Sequence, residues 1–148
     1  MTQMLIRSIA SIAACVAVSP ALAQGPRIPV QDVVAVEQAL AAGKQLNATI
    51  DLTRCTGDTP TTPAGTTRGG LTVGAYRILP DHTLSFADTH VTVRQDGTPI
   101  TQFLRYTIDA TGTAHFASYI FAMPAYMLQS QVSYTCKLGD GVKLFVQY

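Results

Sequence analysis

From Leu71 to Tyr148 apolar residues recur largely at every second position, and turn residues cut the pattern into strand-length pieces. Alternation is cleanest through Ile100, Gln102, Leu104, Tyr106 and Ile108, and again through Val132, Tyr134 and Cys136. A period of two belongs to a strand with one buried face and is wrong for a helix. The pieces run Leu71 to Leu79, Leu84 to Arg94, Ile100 to Ile108, Thr113 to Met123, Gln129 to Leu138 and Val142 to Tyr148. They are divided by Pro80-Asp81-His82, Asp96-Gly97, Asp109-Ala110-Thr111-Gly112, Pro124 and Gly139-Asp140-Gly141. Asp-Gly sites favour tight hairpins because both central residues tolerate positive φ. Strands joined by such short turns run antiparallel.

Upstream, Leu46, Ala48, Ile50 and Leu52 alternate with Gln45, Asn47, Thr49 and Asp51, which adds a seventh strand. Thr56 to Gly70 is rich in Thr, Pro and Gly without periodicity, and reads as a mobile loop. Asp32 to Ala42 is the convincing helix: Val33, Val36, Ala39 and Leu40 form an apolar stripe. Asp32 suits its N-cap and Gly43 its C-cap. Gln24 to Pro29 reads as an extended leader to that helix. The expected fold is mainly β with one N-terminal helix, about seven antiparallel strands forming a partly closed barrel or small sandwich.

Two strands lose phase midway. Leu71 and Val73 are odd-numbered but Tyr76 and Ile78 even, with Gly74 between; Leu84 and Phe86 are even but Val91 and Val93 odd, with Asp88 and His90 between. A bulge at each point would restore the face. Gly74 suits a corner, whereas the second slip is filled by titratable groups.

Residues 1–23 have the form of a secretory signal. Arg7 is the charged start, Ser8 to Val18 the apolar run, and Ala21-Leu22-Ala23 the small-residue cleavage site. The mature protein is then a single domain, 24–148, periplasmic or secreted, with no membrane span. Ile12-Ala13-Ala14-Cys15 offers the alternative of a lipoprotein anchored at Cys15. Of the 10 basic residues, one (Arg7) leaves with the signal, so the mature chain balances its 9 acidic residues. A neutral chain disfavours nucleic acid as a partner. Two cysteines remain, Cys55 and Cys136, and in an oxidising compartment an even pair implies a disulfide. Closing a loop of about 80 residues stabilises by roughly 4–5 kcal/mol on the chain-entropy model.

The segment Leu84-Ser85-Phe86-Ala87-Asp88-Thr89-His90-Val91-Thr92-Val93 resembles the central motif of the VirK family, small exported bacterial proteins of plant-associated type. Asp51-Leu52-Thr53-Arg54-Cys55, Gly69-Gly70 with Tyr76, and Pro99 to Tyr106 match as well. The resemblance implies export and an envelope or host-associated context, with molecular activity unknown and no catalytic residues to carry over.

Asp88, His90 and His115 are the grouping that could carry chemistry; Arg105 nearby could clamp an anion, though an outward arginine paired with Asp88 or Asp109 is the plainer reading. A carboxylate beside an imidazole can orient a general base or share a metal. The plainer reading is structural: Asp88 bonds backbone donors and His90 packs beside it. No metal, cofactor or catalytic residue is assigned. Phe121, Met123, Tyr126, Met127 and Leu128 form an apolar connection around Pro124, expected to be buried at the barrel end. The leading expectation is a monomeric, non-enzymatic binding domain for an unknown protein or small ligand. Its rivals are a carrier, favoured by a cavity lined by Tyr76, Phe86, Leu104 and Tyr134, and a metal-dependent or hydrolytic enzyme using Asp88 and His90.

Overall fold

The computed structural model describes residues 27–147, so the signal, its cleavage after Ala23 and Cys15 lie outside the described residues. In chain order the elements are β1 (Arg27–Val30), α1 (Val33–Ala41), β2 (Gln45–Asp51), β3 (Thr56–Gly57), β4 (Arg68–Val73) and β5 (Tyr76–Ile78). They continue with β6 (Leu84–Val93), β7 (Pro99–Ile108), β8 (Thr113–Ala122), β9 (Met127–Leu138) and β10 (Gly141–Gln147). All ten strands join one sheet, in the order β4-β2-β10-β9-β8-β7-β6-β5, with β1 added to β10 and β3 to β9. The three strands beyond the expected seven are β1, β3 and the second half of the piece that breaks at Gly74.

That break shapes the molecule. β4 and β5 sit at opposite ends of the sheet, yet only Gly74 and Ala75 separate them in the chain. The sheet therefore curls until its two edges meet, giving a half-barrel closed by covalent chain rather than by a ladder of hydrogen bonds. Gly74 is a corner, as the phase change required.

β6 has no bulge. Its register with β7 runs unbroken from Leu84 opposite Ile108 to Val93 opposite Pro99. The even-numbered residues stay on the concave face throughout; beyond Ala87 that face lines open space instead of core, so polar residues occupy it. Val91 and Val93 lie on the outer face, 73% and 63% exposed. Their β-branching suits a strand whether or not the side is buried. The bulge falls elsewhere, in the β8–β9 ladder, where Ile120 faces Ser130 but Phe121 faces Leu128, leaving Gln129 unmatched.

The turns also differ in kind from two-residue hairpins. Leu79/Thr83, Arg94/Thr98 and Asp109/Thr113 close three similar loops, each with one left-handed residue: His82, Gly97 and Gly112. In the first two an aspartate, Asp81 or Asp96, accepts the N–H of the threonine two residues on. Those bonds hold both carboxyls below the usual carboxylate range.

The expected antiparallel pairing of β9 with β10 does not form. Lys137 and Asp140 exchange backbone bonds, and Gly139 and Gly141 take φ of 86° and 95°. This loop carries the chain through a full curl, so β10 resumes parallel to β9 for two residue pairs. β10 then lies between β2 and β1, antiparallel to both. Val142, Leu144 and Val146 are buried there, and α1 closes the core with Val33, Val36 and Leu40. Each such side chain stabilises the fold by about 1.5–3 kcal/mol on burial.

The apolar connection around Pro124 is exposed, contrary to expectation: Tyr126, Met127 and Leu128 are 55%, 64% and 53% accessible. These residues belong to the β8–β9 tip, and none of them is part of the buried core. Cys55 and Cys136 form a disulfide with a Cα–Cα distance of 4.5 Å across a separation of 81 residues.

Candidate functional site

The concave face of β6 to β9 is organised in rows set by register. The lowest row is aromatic: Phe86, Tyr106, Phe116 and Tyr134, with successive ring centroids 4.8, 5.2 and 6.4 Å apart. All four are buried over the core, and Tyr106, Phe116 and Tyr134 form a floor above it. The next row reads Asp88, Leu104, Ser118 and Val132, and the one above it His90, Gln102, Ile120 and Ser130. Above the floor the sheet and the segment Pro63–Leu71 enclose a cavity of about 500 Å³. Every residue that β6 to β9 give it is even-numbered, and Ile50 and Leu52 complete the wall.

The segment expected to be a mobile loop is tied down over this space. Asp58 N–H donates to the Ser133 carbonyl, Tyr134 donates its hydroxyl to the Pro63 carbonyl at 3.0 Å, and Leu52 N–H donates to the Thr67 carbonyl. Gly65 packs onto Leu52 so closely that an added Cβ would sit 2.4 Å from the Leu52 carbonyl oxygen. Only glycine fits there. The disulfide fastens the start of this segment to β9.

On the cavity wall the Asp88 carboxylate accepts the Thr89 N–H at 2.8 Å and lies 3.0 Å from His90 Nε2. Gln102 Nε2 donates to Ser118 Oγ at 2.9 Å. Tyr106 has its phenol pushed up to about 12, first by burial and then by the Asp88 charge. At the mouth, Arg68 pairs with Asp51 at 3.0 Å. The face is thus polar along β6 and largely apolar toward β9, β2 and β4.

The sequence-selected residues separate by parity. Asp88 and His90 share the concave face, whereas Arg105 and His115 are odd-numbered and stand on the outer one. There Thr135 Oγ links His115 Nδ1 at 3.1 Å to Asp58 at 2.7 Å, beside a shallow pocket that Arg105 also lines. Arg105 pairs with neither Asp88 nor Asp109 in any bond the structure shows. No third His, Cys, Asp or Glu joins Asp88 and His90 in a cluster among the described residues, so they offer a metal two ligands. Of the residues expected to line a cavity, Leu104 and Tyr134 do so; Phe86 and Tyr76 border a separate shallow depression. Sequence reading missed Gln102 and Ser118, whose even numbering in an unbroken register was the available signal. No helix among the described residues is long and apolar enough to cross a membrane.

Comparison with known proteins places this architecture. An uncharacterized protein of the pinF2 3′ region of Rhizobium radiobacter is 46% identical over 72% of this chain and 74% of its own length. The uncharacterized protein y4wH of Sinorhizobium fredii is 45% identical over 74% and 77%. The crystal structure of a VirK family protein from Legionella pneumophila superposes with a TM-score of 0.71 at 25% identity, covering 80% of this chain and 98% of that one. The VirK protein family model matches residues 29–126, from β1 through the β8–β9 turn and so across most of the cavity wall. The half-barrel, its pinned segment and the Asp88–His90 wall are therefore those of a chain that belongs to the VirK family.

Proposed function

We propose that this VirK family member is an exported, non-catalytic binding protein whose half-barrel takes a small ligand. One observation carries the reading: above the aromatic floor the sheet keeps a concave face open instead of filling it, leaving about 500 Å³ behind a tethered segment. Sites for small ligands fall in a range of about 300–1,000 Å³, apolar with a few placed polar groups. Leu104, Ile120 and Val132 supply the apolar surface; Asp88, His90, Gln102 and Ser118 supply the polar points. Export is supported by the signal-like residues 1–23 and the disulfide. Against hydrolysis, Ser118 lies two strands from Asp88, about 10 Å at ordinary strand spacing, with its hydroxyl engaged by Gln102.

A second reading has its own observation. Val91, Val93, Phe103, Tyr126, Met127 and Leu128 leave apolar surface exposed around the far end of the sheet, which suits a protein partner. One experiment separates the two. The uncharged fluorophore N-phenyl-1-naphthylamine is titrated into the mature protein and into Val132→Trp, which fills the cavity, and Met127→Lys, which charges the tip. The cavity reading expects saturable one-to-one brightening, lost in Val132→Trp at an unchanged Tm and kept in Met127→Lys. Loss in Met127→Lys with retention in Val132→Trp would move the site to the tip.

A further inference from the structure

Resting on that binding reading, we propose that the cavity selects a cationic amphiphile, an apolar body bearing one amine, whose nitrogen is held by Asp88. The charged or titratable groups that face the cavity are Asp88 and His90 on β6, Arg68 on β4, and the phenols of Tyr106 and Tyr134. Arg68 is already neutralised by Asp51 at 3.0 Å. Tyr106 stays protonated, and Tyr134 spends its hydroxyl on Pro63. Asp88 differs from all of these. Its one side-chain partner among the described residues is the His90 imidazole at 3.0 Å, which brings a compensating charge only when protonated.

A carboxylate accepts at about four lone-pair positions, and the Thr89 N–H and His90 Nε2 take two. The side chain is 34% exposed and shares its row with Leu104. An ammonium entering over Leu104 would find open acceptor positions and a net negative wall, and would leave its apolar part against Ile120 and Val132. Charge-assisted hydrogen bonds of this kind are about twice as strong as neutral ones. A carboxylate head would instead meet Asp88 as a like charge. An alcohol would donate to the same carboxylate but bring no charge to balance it.

The test is isothermal titration of the mature protein at pH 8 with three probes of equal chain length: decylammonium, decanol and decanoate, each below its aggregation concentration. Decylammonium should bind at least about tenfold tighter than decanol, with decanoate weakest. Asp88→Asn should weaken decylammonium far more than decanol and bring the two to the same level. If decanol or decanoate binds as tightly as decylammonium, or the preference survives in Asp88→Asn, the amine assignment is overturned and the cavity reading stands. If none of the three binds, both fall. Should Asp88→Asn fail to fold, the ranking of probes on the unmodified protein still decides.

Discussion

Asp88 was legible in the sequence as a residue of interest, but for the wrong local reason. Two even-numbered apolar residues followed by two odd-numbered valines imply a bulge only if every apolar side chain must face the core. Here the valines are exposed and the polar pair faces a cavity, so phase was kept and the environment changed. Arg105 and His115 illustrate the complementary error. They are near Asp88 in the chain or across the ladder, yet odd numbering puts them on the other side of the sheet. The nearness of Asp88 to Tyr106 has a consequence in alkali. With the phenol raised from 10.0 to about 12, its neutral form is favoured by the fold. That contribution is complete below pH 10 and is lost as pH rises toward 12. Absorbance titration of the phenolates should show one late step near pH 12, absent in Tyr106→Phe. Asp88→Asn should lower that step while leaving it above 10, since burial is the larger cause. An unchanged step in Asp88→Asn would separate the two groups.

At the scale of elements, the sequence was most informative where one face meets the core along a whole strand, as in β2, β7 and β8. It was least informative where pairing is decided by distant partners. β1 and β3 are two to four residues long and exist because β10 and β9 offer free edges, which no local pattern encodes. The curl at Gly139-Asp140-Gly141 looks like a hairpin in sequence because glycine serves both. What selects the curl is the pairing of β10 with β2 and β1. The segment before β4 was misread because two of its fixing bonds come from Ser133 and Tyr134, far away in sequence. The disulfide anchors this same segment, so reducing it should act on both stability and the cavity. Cleavage should cost up to about 4–5 kcal/mol on the chain-entropy model and lower Tm by at least about 10 °C. Proteolysis should then begin within residues 58–67. Reduction with no change in Tm, or first cleavage elsewhere, would show that the segment is held without it.

For the whole molecule, fold class and family were readable, and the cavity was not. Alternation, turn residues and an apolar stripe were enough for a mainly β fold with one helix, a partly closed barrel or a small sandwich being equally open. The space inside depends on how far the sheet curls, and that is set by two residues, Gly74 and Ala75, joining its opposite ends. A curl this tight brings the edges together over the aromatic floor and leaves the far end open. The account stands on that opening being occupied in the native protein. Native mass spectrometry of the protein purified from the cells that make it, without denaturation, reads this directly. The expected spectrum shows a disulfide-bonded chain beginning at Gln24 that carries one small molecule per chain, released on unfolding and absent from Val132→Trp. A bare chain, or a ligand retained equally by Val132→Trp, would contradict the account.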